Sequence, residues 1–250
     1  MIDVDDYLDR IGYRGHRMPT AATLHALHEA HLLTTPFENL DILAARPLVL
    51  DEAALFDKIV RRRRGGLCYE LNGLFAALLR TLGFTVHLLA ARDVHADGTL
   101  GPAFDHLTLL VEAEGRWLVD VGWGDQFVHP LRLDRRGEQG DGRRVYRIDD
   151  DGAGRVVACR LESGAWEPMY CFTLDSYALA DFGPMCRYHQ TPPDGPFTQR
   201  RLCTRLTGDG RMTLSESRLV VTDGQGKSER ELAGEAEVEA VLREYFDIVI

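Results

Sequence analysis

At Gly83 the hydrophobic period of the chain changes, and that change limits what it can fold into. Before it, apolar residues recur at helical spacing. The clearest run, Leu71, Leu74, Phe75, Leu78, Leu79 and Leu82, marks one buried helical face, with Gly83 as its stop. Segments near 3–11, 20–33 and 51–62 share this character. The last opens at Asp51 with acids in its first turn and closes on arginines, as the helix dipole prefers. After Gly83 the runs FTVHLLAARDV, HLTLLVEA, RWLVDVGW, RRVYRIDD, GRVVACRL and WEPMYCFTL read as strands between Gly and Asp turns. From Asp175 the pattern SYALADFGPMCRYH turns helical again; the loop TPPDGPF, strands near 199–207 and 217–222 and a closing helix near 234–246 follow. Helices and strands segregated in this way predict an α+β chain in three parts, 1–83, 84–174 and 175–250.

Bulk properties exclude several function classes. A chain of 250 residues buries a substantial core without disulfides or metals. The opening MIDVDDYLDRIGYRG has neither the basic nor the apolar part of a targeting segment, and no window approaches the roughly 18 apolar residues of a membrane span, so a soluble, untargeted chain is expected. Five cysteines, scattered and without a CxxC pair, suggest neither a disulfide framework nor a structural zinc, and a cytoplasmic location is expected. A formal charge of −10 argues against a nucleic-acid partner. The only basic run, Arg61 to Arg64, reads as a solvated helix end. His25, His28 and His31 recur every third residue, but no Cys or carboxylate joins them at ligand-like spacing. No metal is expected, and these histidines read as surface or domain-contact residues.

The chemistry gathers around RGGLCYELNG. Gly65 and Gly66 permit a sharp, closely packed entry into the helix, which sets Cys68 at its N-terminus. There, unpaired backbone N–H groups and the dipole favour a thiolate, and the same N–H groups suit an oxyanion. Alone, such a cysteine reads as a small buried apolar residue. Partners for it lie in FDHLTLLVEAEGRWLVDVGWG, where two apolar strands meet at a short turn around Ala113-Glu114-Gly115. A three-residue loop pairs Glu112 with Arg116 and sets Thr108 opposite Asp120, so His106 and Asp120 share a face one diagonal apart. Burying Asp120 in an apolar run is costly without a partner. Cys68 as nucleophile, His106 as base and then acid, and Asp120 as its orienting carboxylate would form a triad. Glu70 and Asn72 read as braces of the cysteine loop.

These blocks resemble the arylamine N-acetyltransferases. RGGLCYELN is similar to that family's RGGxCxExN signature, and HLLTTPFENLDI carries its PFENL segment. Asp120-Val121-Gly122-Trp123-Gly124 is similar to its DVGxG strand end, and YHQTPPDGPFT to its SPxSxF loop more loosely. The resemblance covers most of the chain in the right order. It implies a helical first domain, a central β-barrel and a C-terminal α/β lid, with a cysteine-protease-like or transglutaminase-like core. It also implies a ping-pong reaction in which acetyl-CoA acylates the cysteine and an arylamine, arylhydrazine or N-hydroxyarylamine takes the acetyl group. Position by position, Cys68, His106 and Asp120 match the triad, and Phe37, Trp123, Gly124 and Phe197 match the acyl and acceptor pocket. Thr191 to Phe197 departs from the family where serines are frequent, as does Asp105 where a threonine is frequent. The motifs are also compatible with an amide synthase closing a polyketide acyl chain onto an aromatic amine, or with a thiol hydrolase. Monomer and homodimer both remain open.

Overall fold

The structure, a computed structural model, describes residues 2–125 and 127–249. Helices α1 (Val4–Arg10) and α2 (Ala21–Thr34) are followed by a two-residue strand β1 (Phe37–Glu38), the short α3 (Leu40–Leu43) and α4 (Glu52–Phe56), and then α5 (Cys68–Thr81). Asp51 caps α4 by accepting the N–H groups of Ala53 and Ala54, both at 3.0 Å. The expected helix over 51–62 does not continue as an α-helix. It passes into a π-helical turn, Asp57–Arg61, that buries Lys58, Ile59 and Val60 in succession. Helix α5 is buried along every residue from Cys68 to Leu79, not on one face alone. Its polar members Glu70 and Asn72 are therefore held inside the molecule.

The middle of the chain forms β2 (Thr85–Asp93), β3 (His106–Glu112), β4 (Arg116–Val119), β5 (Leu131–Arg132), β6 (Gln139–Gly140), β7 (Val145–Asp150), β8 (Arg155–Arg160) and β9 (Trp166–Tyr177). They build one eight-stranded sheet in the order β5-β4-β3-β2-β9-β8-β7-β6. The sheet is a nearly closed barrel, and its inner residues, among them Leu89, Leu110, Phe127, Tyr146, Val157 and Phe172, share one apolar core. A side chain bridges the two edges: the Gln139 amide accepts the Arg132 N–H at 2.7 Å and donates to the Arg132 carbonyl at 3.0 Å. The β3–β4 hairpin has the expected register, Glu112 opposite Arg116, with Glu114 and Gly115 at φ of 51° and 140°.

Strand β9 runs through Ser176 and Tyr177, where a helix was expected, because both pair with β2 at Leu89 and Leu88. Helical structure resumes as a 3-10 turn, Leu179–Phe182, and α6 (Gly183–Tyr188). Strands β10 (Leu202–Leu206), β11 (Arg211–Ser215), β12 (Arg218–Asp223) and β13 (Gly226–Glu231) form a second sheet backed by α7 (Glu235–Phe246). Strand β1 joins that sheet by pairing Phe37 with Thr204 and Glu38 with Cys203. A segment of the otherwise helical N-terminal part is thereby hydrogen-bonded to the C-terminal part. Strands β5, β6, β11 and β13 were not expected; β5 and β6 are two residues each, and β13 is an exposed, charged edge.

Candidate active site

Helix α5 begins at Cys68, with Leu67 extended at φ −79°, ψ 173° as its N-cap. The turn into it is a close approach. An ideal Cβ on Gly65 would lie 1.9 Å from the Pro36 carbonyl, one on Gly66 would lie 2.6 Å from Glu70 Oε2, and one on Gly122 would lie 2.6 Å from Cys68 Cα. Neither Gly65 nor Gly66 has a left-handed φ, so space and not backbone conformation demands these glycines.

His106 opens β3 and Asp120 lies just past the end of β4, so extending the register places Asp120 beside Thr108, one diagonal from His106. His106 Nε2 is 2.6 Å from Asp120 Oδ2. That contact leaves Nδ1 as the ring nitrogen available to the Cys68 thiol, whose interaction with the ring also favours the ring's charged form. All three side chains are buried, Cys68 8 % exposed and Asp120 fully enclosed. Burial works against a charged His106, but the Asp120 carboxylate and the Cys68 hydrogen bond outweigh it and hold the imidazole well above its usual range. Burial likewise pushes Asp120 up, yet His106, Asn72 and the Gly122 N–H hold it below the usual carboxylate range. The pair thus favours the charged form of the imidazole beside the sulfur.

Asn72 braces the carboxylate directly. Its Nδ2 donates to Asp120 Oδ1 at 2.8 Å and to the Leu107 carbonyl at 2.7 Å, while its Oδ1 accepts the Val121 N–H at 2.8 Å. Glu70 braces the loop by accepting the Leu67 N–H at 2.9 Å and the Lys58 ammonium at 2.8 Å. Lys58 reaches Asp41 at 2.8 Å, and Arg64 donates from Nε to Glu38 at 3.0 Å while its Nη1 lies 3.2 Å from Asp41. Arg64 is thus a buried ion-pair residue, not part of a solvated helix end. Arg62 and Arg63 do remain at the surface, paired with Asp57 and Asp247. Lys58 is discouraged from its charge by burial, but Glu70, Glu38 and Asp41 more than compensate and raise it to about 12.

The three helical histidines divide between contacts. His28 is fully buried between α2 and the barrel, with Nδ1 2.8 Å from the Val128 carbonyl and Nε2 2.8 Å from the Asp120 carbonyl. It steadies the backbone of Asp120, a role its spacing alone did not reveal. His31 meets Tyr7 Oη at 3.1 Å, and His25 stands edge-on to Trp117. Burial lowers His28 to about 4 and holds His31 well below its usual value. The folded-state pKa of His28 lies below the unfolded one, so between about pH 6.5 and 4 the unfolded chain takes protons that the folded chain refuses. His28 is expected to remove about 2 kcal/mol of stability between pH 7 and 5. His106 acts oppositely, since the stability from its raised pKa is fully present below about 6.5 and fades only at higher pH. Denaturant unfolding at both pH values should show a smaller acid loss in His28→Gln; an identical loss would place its origin elsewhere.

Cys68 and His106 open into a cleft of about 480 Å³ whose walls include Phe37, Trp123 and Phe197. Phe37 and Phe197 stand 5.9 Å apart, and Trp123 packs edge-on to His106 at 4.9 Å. Tyr170, unremarked in the sequence, backs both rings at 5.1 and 4.9 Å. Gly124 packs against Phe37 and Thr204 at φ +90°, and its carbonyl accepts a hydrogen bond from Arg211. Among the described residues, no group of three or more His, Cys, Asp or Glu is placed to hold a metal ion, and no helix is long and apolar enough to cross a membrane.

Residues 20–250 match a family model described as N-acetyltransferase, which places the chain in a transferase class. An arylamine N-acetyltransferase of Mycolicibacterium smegmatis is 39 % identical over 227 residues, covering 88 % of this chain and 82 % of its own. The solved arylamine N-acetyltransferase of M. tuberculosis superposes with a TM-score of 0.92 at 37 % identity, covering 98 % of this chain and 94 % of its own. That of Mycobacterium marinum, solved in complex with CoA, superposes with a TM-score of 0.91 at 34 % identity, covering 98 % and 93 %. The chain belongs to the arylamine N-acetyltransferase family.

Proposed function

We propose that the protein transfers an acetyl group from acetyl-CoA to an arylamine, arylhydrazine or N-hydroxyarylamine through a thioester on Cys68. The observation that carries this reading is the buried His106–Asp120 pair, 2.6 Å apart, set against a cysteine at the N-terminus of a helix. In the first half-reaction the Cys68 sulfur attacks the acetyl carbonyl, and the first-turn N–H groups of α5 receive the oxyanion. His106 then protonates the departing CoA sulfur. In the second half-reaction the amine attacks the thioester, and neutral His106 takes its proton as the amide leaves. Asp120, braced by Asn72, keeps the ring in one tautomer throughout. Phe37 and Phe197 offer apolar faces to a flat acceptor, a mode that tolerates varied ring substituents.

The three parts of the chain divide the labour accordingly, with 1–83 supplying the nucleophile, 84–174 the histidine and aspartate, and 175–250 covering the cleft. A stopped-flow measurement of free thiol tests the reaction order. Mixing the protein with acetyl-CoA alone should release about one CoA thiol per chain in a burst, and steady release should require an arylamine. Release that needs the arylamine from the first turnover would rule out the thioester.

A further inference from the structure

We propose that the cleft selects acceptors by charge, Asp105 and Asp93 favouring neutral or cationic arylamines and arylhydrazines and turning away those with a ring carboxylate. This rests on the acetyl-transfer reading above and adds a specificity to it. The cleft wall carries Asp93, Asp105 and Asp194 with His95, His106 and His189, and among the described residues no Lys or Arg. The nearby arginines, Arg143, Arg144 and Arg160, line a separate cavity of about 760 Å³ on the other side of Trp123. Once Cys68 carries an acetyl group it has no charge, and His106, having given its proton to CoA, is neutral, so the pair adds no positive charge to the cleft and Asp120 adds one negative charge behind it. The aspartates then set the sign of the field that an entering amine meets.

Asp105 is held there by its surroundings. Phe104 takes a left-handed φ of +65°, a strained conformation for a bulky residue. Its ring packs edge-on to Tyr177 and Phe182 at 4.8 and 5.2 Å. The Tyr69 hydroxyl donates to the carbonyls of both Phe104 and Asp105, at 2.9 and 2.8 Å. The carboxylate fills the space left by Gly101, where an ideal Cβ would lie 2.1 Å from Asp105 Oδ2. His189, 7 % exposed, places Nε2 3.0 Å from Asp105 Oδ1, yet that nitrogen makes no aligned hydrogen bond. His189 thus lines the cleft with its Nε2 beside the carboxylate. Asp93, at the end of β2, is raised by burial; His106 opposes that shift and the like charge of Asp105 adds to it, which places the two carboxylates in one field.

Two unit charges a few ångströms apart near a protein surface interact strongly enough to change affinity about tenfold or more. The test compares 4-aminobenzamide, 4-aminobenzoate and 4-(aminomethyl)aniline as acceptors, using the ratio of their kcat/KM values within each protein so that a loss common to all three cancels. The ratio of amide to carboxylate should fall about tenfold in Asp105→Asn, and the preference for the cationic ring should fall with it. Asp93→Asn should move both ratios the same way by less. Ratios unchanged within about twofold in both variants would overturn the proposal. Calorimetric titration of the Cys68→Ala protein with the amide and the carboxylate reads the same selection without turnover. Equal affinities there would also overturn it, whereas failure of the thiol burst would count against the acetyl-transfer reading alone.

Discussion

Replacing Cys68 with alanine is expected to lower acetyl transfer from acetyl-CoA to an arylamine by about 10⁴-fold or more, while the fold persists. The side chain is small and its removal opens little space, so stability should change by only about 1 kcal/mol. The loss would come from chemistry alone, because His106, Asp120 and Asn72 keep one another's hydrogen bonds when the sulfur is gone. A circular dichroism melt beside the turnover assay separates the two effects. Turnover within about tenfold of the native protein, with an unchanged melt, would remove Cys68 from the mechanism.

Arg64→Leu is expected to have the largest effect on stability, about 3–5 kcal/mol. The buried cluster contains three acids, Glu38, Asp41 and Glu70, against two bases, Lys58 and Arg64. Burial already raises Glu70, so losing one of the two cations leaves Glu38 and Asp41 enclosed with too little compensation. Pairing the change with Glu38→Leu should recover part of the loss, since removing both charges avoids an unpaired carboxylate. Activity should fall with the single change as well, because Arg64 leads directly into Gly65, Gly66 and the N-cap of α5. Urea unfolding of the single and double variants measures this; a single variant within about 1 kcal/mol of the native protein would show the cluster to be dispensable.

Legibility of the sequence followed the range of the interactions. The helix α5 and its stop could be read from apolar spacing, though not that it is buried all round, and the alignment of His106 with Asp120 from a hairpin whose turn fixes its register. Both are local. What covers those elements is not: β1 pairs with β10 across more than 160 residues, Phe37 with Thr204 and Glu38 with Cys203, and nothing in PFENL announces its partner. The Lys58–Glu70 pair is hidden by a π-helical turn that shifts the face of its helix, and Arg64 looks solvated within a run of four arginines. His28 and Tyr170 reach the site only because the barrel closes against α2 and α5. Asp105 was visible as a departure from the family pattern, but its pairing with His189 required α6 to be in place.

The pairing of β1 with β10 also bears on how the protein is made. Asn39 donates to the carbonyls of Phe197 and Arg200 at 2.9 and 2.7 Å and accepts the Leu202 N–H at 2.8 Å, so the wall holding Phe37 is fastened to residues near the end of the chain. On a ribosome the segment around Cys68 emerges long before those residues do, and chains fold from the N-terminus as they appear. The thiol therefore waits beside an unfinished wall until β10 has been made, and a chain released before β10 would carry its nucleophile without the enclosure that confines what it reacts with.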